Sequence, residues 1–311
     1  MRFAFDRITR VFTAPLHPPA VFLVSRSRVG AVLRAGRDAH LAAQVVVPLA
    51  PGALEPSFDR RNVVQPAALE RAVRDAAARL GRTGGSAGLM LPEACLKVFV
   101  LPFESLPSSP REREEVFRWR LAKLVPLPPA EMRMSFAVLK AAGQTRVVLA
   151  LARAEVVREY EDAFRRAGLS VRDVGVPALN LLSLARLDAA GHALVVNLED
   201  DHLSLTALLD GRAALYRFKP FLHDLNAPST LADKAAQAAS EVETTIRFLE
   251  DKEKKKITAV WVRADVAAPE AAVAALRDRL PGLAVRELDV PAPIRPPDRH
   301  FLAPLAGQVA P

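Results

Sequence analysis

LPEACLKVFVLPFESLPSSPREREEVFRWRLAKLVPLPPAEMRMSFAVL, residues 91–139, is the stretch on which the reading of the fold turns. It opens with Leu91-Pro92 breaking two short strands apart, since proline lacks the N–H that a central ladder needs. Residues 109–124, SPREREEVFRWRLAKL, then read as an amphipathic helix. Pro110 sits in its first turn, the acidic residues come early, and Phe117, Leu121 and Leu124 share one face. VPLPPAEM ends it, because prolines cannot continue a helix and push the preceding residue out of helical space. MSFAVL follows as a strand.

Upstream, AVFLVSRSRVGAVLR (20–34) and LAAQVVVP (41–48) read as two strands joined by a short turn. PAALERAVRDAAARLG (66–81) is a helix with proline near its start and Gly81 as its stop. Downstream, TRVVLALA is a strand apolar enough to be buried on both faces. AEVVREYEDAFRRAGL is a helix closed by Gly168, VRDVGV a strand and PALNLLSLARL a further helix. After Gly191 the pattern restarts. ALVVNLEDDHLSLTALLDGRAALYRF reads as three strands, with Asp210-Gly211 as a hairpin turn. A long helix runs from about Leu231 to Glu250, with Ala235, Ala238, Val242, Ile246 and Leu249 inward and Ser229 or Thr230 as its cap. ITAVWVRA, PEAAVAALRDRLPG and LAVRELDV complete a strand, helix and strand. This alternation defines an α/β fold. The expected division is an N-terminal extension 1–19, a first lobe 20–188 with an inserted subdomain at about 88–140, a second lobe 189–290, and a proline-rich segment 291–311 running over the surface.

The chain has 311 residues, 50% of them hydrophobic and 25% charged, enough for two lobes with separate cores. Mean hydropathy is +0.12, and no apolar run approaches the ~18–20 residues of a membrane span. The basic N-terminus, MRFAFDRITRVFTAPL, reads first as a frayed or short packed terminus. The alternative is a peripheral membrane contact, with Phe3, Phe5, Ile8, Val11 and Phe12 against Arg2, Arg7 and Arg10. Cys95 is the one cysteine, so neither a disulfide framework nor a thiolate metal site is expected, and a reducing cytoplasm is the natural compartment. The net charge of +8 raises the question of nucleic acid. Against that, the tight run Lys252–Lys256 suits a helix C-terminus, aromatics are only 6%, and no nucleic-acid-binding motif occurs.

Chemistry-bearing motifs are missing. The six histidines, His17, His40, His192, His202, His223 and His300, show no metal-ligand spacing, and there is no G-x-S-x-G, Walker A or G-x-G-x-x-G pattern. Three segments stand out. LEDD (198–201) follows a buried strand, where ligands gather in α/β sheets, but reads equally as a polar turn. RWRLAKLVPLPP offers an anion site or merely a helix exit. EVETTIRFLEDKEKKK offers a docking face or a solvated one.

The order of these segments resembles the PilM family of type IV pilus assembly proteins, which share an actin-like (RNase H-like) ATPase fold with FtsA, over about residues 20–307. Leu101-Pro102, Ser105-Leu106-Pro107, Glu114, Val125-Pro126-Leu127 and Phe136 occupy matching places. EVETTIRF matches a helix start, and Leu305-Ala306-Gly307 faintly echoes a C-terminal motif. The resemblance implies a two-lobed fold with a small α+β subdomain inserted in the first lobe. Only about twenty residues separate RFKPF from EVETTIRF, so the second lobe is reduced.

Actin-like ATPases hold ATP with two Asp-x-Gly hairpins and a Gly-Gly turn. Here Val24 or Ser25 stands in the first Asp place, Asn197 and Glu199 stand in the Asp and Gly places of the second hairpin, and Ala264-Asp265 replaces Gly-Gly. Acidic Glu199, Asp200 and Asp201 would repel phosphates. No ATP, other cofactor or metal is therefore expected, and the chain reads as a pseudo-ATPase with no catalytic residue. The resemblance implies a cytoplasmic scaffold, peripheral to the inner membrane, that holds the tail of a PilN-like inner-membrane protein. The tail would lie in a groove between the first lobe's sheet and the 90–139 segment, with Leu101, Phe103, Leu106, Trp119 and Leu127 as candidate partner contacts. The alternatives are an ATP-binding protein using Asp200 or Asp201 for magnesium, or a GspL-like type II secretion component.

Overall fold

The computed structural model describes residues 18–35, 40–141, 144–187, 191–221, 230–291, 294 and 297–309. The basic N-terminal stretch, His17, His223 and Ser229 lie outside them. Contacts divide the chain into two compact units. One is built on residues 18–31 with 45–176, the other on 177 onward with 32–44.

The first unit's main sheet contains β1 (Ala20–Val24), β2 (Arg28–Ala35), β3 (His40–Pro48), β4 (Gly85–Met90) and β8 (Leu169–Gly175), in the order β3-β2-β1-β4-β8. β1 and β8 run parallel to β4 on either side of it. A single strand over 20–34 was expected, but Ser25 breaks it in two. Its hydroxyl accepts from the Arg28 N–H at 3.1 Å and donates to the Arg28 carbonyl at 3.2 Å, closing a turn. α1 (Pro66–Arg79) joins β3 to β4 and buries Leu69, Val73 and Ala76. α3 (Ala154–Arg166) leads into β8 and buries Val156, Val157, Tyr160 and Phe164, with the Phe164 ring edge-on to Phe22 at 5.2 Å. Gly168, at φ +87°, takes the left-handed conformation that stops α3.

Between β4 and α3 lies the insertion: β5 (Lys97–Phe103), α2 (Pro110–Ala122), β6 (Met132–Ala141) and β7 (Gln144–Arg153). It reaches Arg153 rather than 140, because β7 is the central strand of a three-stranded antiparallel sheet, β5-β7-β6. That central place explains the unbroken apolar run of TRVVLALA, buried from Val147 to Ala152. Ser109 caps α2 by accepting from the Glu112 N–H, and α2 packs Phe117 and Leu121 onto Val147, Leu149 and Leu151.

The second unit's sheet is β11-β10-β9-β12-β13, from β9 (Ala193–Glu199), β10 (His202–Leu209), β11 (Arg212–Pro220), β12 (Ala259–Asp265) and β13 (Ala284–Glu287). β9, β10 and β11 are successively antiparallel, while β12 runs parallel to β9 and β13. Numbered within each unit, both main sheets have the order 3-2-1-4-5. Asp210 and Gly211 both take positive φ in the β10–β11 turn, as two-residue hairpins require. α5 (Leu231–Glu253) begins in a capping box between Thr230 and Asp233 and buries the five predicted positions. α6 (Pro269–Arg279) packs Ala272, Val273 and Leu276 into the same core. Only residues 221–230 separate β11 from α5, so the second unit is reduced, as read from the sequence.

Two expectations fail at this unit's borders. Residues 177–187 form one turn, α4 (Pro177–Asn180), and a 3-10 turn (Leu181–Leu184). They group with the second unit, so the boundary falls at Pro177 rather than 188–192. The C-terminal segment is not a surface strap throughout. α7 (Arg299–Val309) buries Phe301, Leu302, Leu305 and Ala306, and the Ser183 hydroxyl donates to the Gly307 carbonyl at 2.6 Å. Prolines upstream of 299 mask this short apolar helix in the sequence. Among the described residues, no helix is long and apolar enough to cross a membrane.

Candidate functional site

The positions at which an actin-like ATPase needs Asp and Gly are engaged by the chain itself. In the first hairpin Val24 is buried in the β1 row, and the Ser25 hydroxyl is occupied by its own turn. In the second unit, β9 and β12 lie side by side with Asn197 opposite Arg263, Ala264 opposite Leu198 and Asp265 opposite Glu199. Two carboxylates directly across a strand pair repel each other.

Arg263 resolves that repulsion, and the sequence reading missed it. Its side chain is 1% exposed. Nη1 donates to Asn197 Oδ1 at 2.6 Å and to Glu199 Oε1 at 2.5 Å. Nη2 lies 3.3 Å from Asp265 Oδ2 and donates to the Phe301 carbonyl at 3.3 Å. Nε donates to the His300 carbonyl at 2.7 Å. This last bond has a covalent cause. Pro304 lies inside α7 and has no N–H to offer the carbonyl four residues earlier, that of His300, so the guanidinium supplies the donor. The one sequence signal was an arginine at an otherwise apolar position of a buried strand.

Asp200 and Asp201, the alternative magnesium ligands, are also engaged. Asp200 pairs with Lys234 at 3.0 Å, and Asp201 Oδ1 meets His202 Nδ1 at 2.7 Å. Folding does bring Glu199, Asp201 and His202 together, with one ligand atom from each within 4.8 Å of the others, a grouping their sequence spacing did not reveal. Glu199 is already held by Arg263, while the Asp201–His202 contact lies within the grouping.

Four of the five candidate partner contacts pack against the insertion itself. Leu101, Phe103, Leu106 and Leu127 are half-buried against the insertion's own core of Phe117, Leu121 and their neighbours, and they do not line the groove described next. Trp119 is 59% exposed on α2, where the Lys123 ammonium sits 3.7 Å from its ring centre.

The groove lies within the first unit and encloses about 290 Å3, near the lower bound of about 300 Å3 for small-ligand sites. Its lining includes Arg133, Met134 and Ser135 of β6, Ala150–Ala152 of β7, Val157 and Glu161 of α3, and Val171–Gly175 of β8. β6 and β8 are edge strands of their two sheets, and edge strands offer backbone N–H and C=O groups for pairing. Arg133 Nη1 meets Glu161 Oε1 at 2.6 Å. On β8, burial raises the Asp173 carboxyl above the ordinary carboxylate range.

A second polar cluster in this unit is structural. The Cys95 thiol donates to Asn62 Oδ1 at 3.1 Å and lies 3.6 Å from the Tyr160 hydroxyl. Burial pushes it up to about 12. Glu159 Oε2 accepts from the Asn62 and Val63 N–H groups, each at 2.8 Å.

The two 3-2-1-4-5 sheets, with an α+β insertion in the first unit, define an actin-like ATPase fold. No family model and no curated sequence relative matches the chain. Among solved structures, it is similar to a chain of a PilM–PilN type IV pilus biogenesis complex, at TM-score 0.74 and 19% identity over 94% of this chain and 97% of that one. It is also similar to a Bacteroides thetaiotaomicron protein of actin-like ATPase fold and unknown function, at TM-score 0.59 and 9% identity over 94% and 95%. The cytoplasmic domain of EpsL, an inner-membrane component of the Vibrio cholerae type II secretion system, follows at TM-score 0.52 and 11% identity over 94% of each chain.

Proposed function

We propose that this chain is a non-catalytic cytoplasmic scaffold of a type IV pilus or related secretion machine, peripheral to the inner membrane, which holds the extended cytoplasmic tail of a PilN-like membrane protein. The observation that carries this reading is the groove flanked by the β6 and β8 edges, in a fold similar to that of a PilM–PilN complex. An extended segment gains affinity there by backbone pairing and selectivity from its alternate side chains. The non-catalytic part is supported by the occupation of Asn197, Glu199 and Asp265 by Arg263, which leaves neither carboxylate to organise a metal–phosphate group.

The test is fluorescence anisotropy with a labelled peptide of the PilN-like protein's cytoplasmic tail. Saturable micromolar binding is expected, and it should be lost in Ser135→Trp, which fills the groove from the β6 wall. Circular dichroism would verify that this variant folds. Failure of the peptide to bind the unaltered chain, or equal binding by the variant, refutes the reading.

A further inference from the structure

Asp173 is a half-buried acid, one of whose oxygens is shut away without a partner. Ala87 pairs with Val171 but Gly88 pairs with Asp173, so Arg172 is an extra residue and β8 bulges there. Bulges bend a strand and re-aim the side chains beside them, and they recur next to functional sites. Asp173 lines the groove, and its Oδ2 is buried without a hydrogen-bond partner. The other charges of the groove do not supply one. Arg133 of β6 is paired with Glu161 of α3, and Arg172 is exposed. Desolvation is the one cause moving the Asp173 carboxyl; a neighbouring cation would have pulled it the other way. A carboxylate held in this state costs folding free energy, and a ligand that brings a cationic donor offsets that cost.

We propose that Asp173 is the specificity-determining contact for a lysine or arginine in an otherwise apolar, extended segment laid along the groove between β6 and β8. The inference rests on the tail-binding role and names the chemistry of the tail. Apolar positions of the segment meet Ala150, Val157 and Val171, while its cation meets Asp173. Cytoplasmic segments beside a membrane span carry an excess of Lys and Arg, so the proposed class of partner also brings the required charge.

The experiment is a double-mutant cycle by anisotropy. It uses the PilN-like tail peptide and the same peptide with its basic residue changed to glutamine, each against the unaltered chain and Asp173→Asn. Either single change should weaken binding about ten- to a hundred-fold, the range of a hydrogen bond to a charged group. The two together should weaken it no further. Asp173→Lys should restore affinity for a glutamate-bearing peptide. Asp173→Asn should melt no lower than the unaltered chain, which separates recognition from folding. If the peptide binds, Ser135→Trp blocks it and Asp173→Asn leaves affinity unchanged, the inference is overturned while the tail-binding reading stands. If the unaltered chain binds no peptide, both fall.

Discussion

Replacing Arg263 by methionine removes one guanidinium and leaves five acceptors behind: Asn197 Oδ1, the Glu199 and Asp265 carboxylates, and the carbonyls of His300 and Phe301. Methionine fills the volume, so the loss is one of charge and donors rather than packing. Breaking a buried ion pair from one side typically costs about 3–5 kcal/mol, because the remaining charge stays uncompensated. In a unit of this size each kcal/mol moves the midpoint by roughly 3–4 °C, so the second unit's calorimetric transition should fall by roughly 10–20 °C. Arg263→Lys should recover little, since an ammonium is a point donor and cannot reproduce the fork. Adding Glu199→Gln and Asp265→Asn to Arg263→Met should recover more than half of the loss, because neutralising a whole buried cluster is far milder than breaking it. A single variant melting within about 3 °C of the unaltered chain, or a triple variant no better than the single, refutes this account of the cluster.

Three further outcomes are expected. A Cβ added at Gly307 would lie 1.9 Å from the Asn180 carbonyl oxygen, so Gly307→Ala should lower stability by about 1–3 kcal/mol or more, read by thermal melting. Cys95, its thiol pushed from 9.0 up to about 12, should not react with a disulfide reagent at pH 8 until the chain unfolds. Its contribution to stability is present below pH 9 and lost as pH rises towards 12, since the unfolded state gives up the proton first, and Cys95→Ser should flatten that alkaline limb of the melting profile. Asp173 takes up its proton at a higher pH in the folded chain than unfolded, so its cost to folding is present at neutral pH and relieved on acidification. Tail affinity should weaken over that same acid range as the carboxylate is neutralised beside Arg133, Glu161 and Arg172, and Asp173→Asn should abolish this weakening.

The sequence carried the element order wherever local chemistry sets it. Pro110 and Ser109 start α2, Thr230 starts α5, and Asp210-Gly211 turns β10 into β11. It failed where partners distant in the chain decide. TRVVLALA has the apolar run of a strand buried on both faces, but nothing local tells which sheet receives it. Antiparallel pairing with both β5 and β6 assigns it to the insertion. Leu101, Phe103 and Leu127 are large and apolar in the sequence, and folding packs them half-buried against the core that α2 shares with β7, a placement no local signal gives. The groove residues Ser135, Ala152 and Asp173 are small or polar and carry no motif. Only the juxtaposition of two sheet edges makes them a surface. Arg263 was hidden for a similar reason, since its partners lie on β9, β12 and α7.

The cluster around Arg263 bears on nucleotide binding as well as on folding. Glu199 and Asp265 face each other across β9 and β12, and a cation between them relieves the repulsion of like charges directly across a strand pair. A nucleotide-binding protein draws that cation from solution along with its phosphates. Here the chain supplies it on β12, held by five contacts and shut away from water. An entering metal would have to displace a guanidinium whose Nε also replaces the hydrogen bond that Pro304 denies to His300, so metal binding would be opposed by the stability of α7. A ligand at a hundred-fold excess over its Kd stabilises a protein by about 2.7 kcal/mol, several degrees in the melting of a domain of this size. Millimolar Mg-ATP should therefore leave the second unit's transition unmoved, and calorimetric titration should show no saturable heat. A reproducible upward shift, abolished by Asp200→Ala or Asp201→Ala, would mean that the hairpin binds nucleotide through ligands of its own and would overturn the non-catalytic part of the proposal.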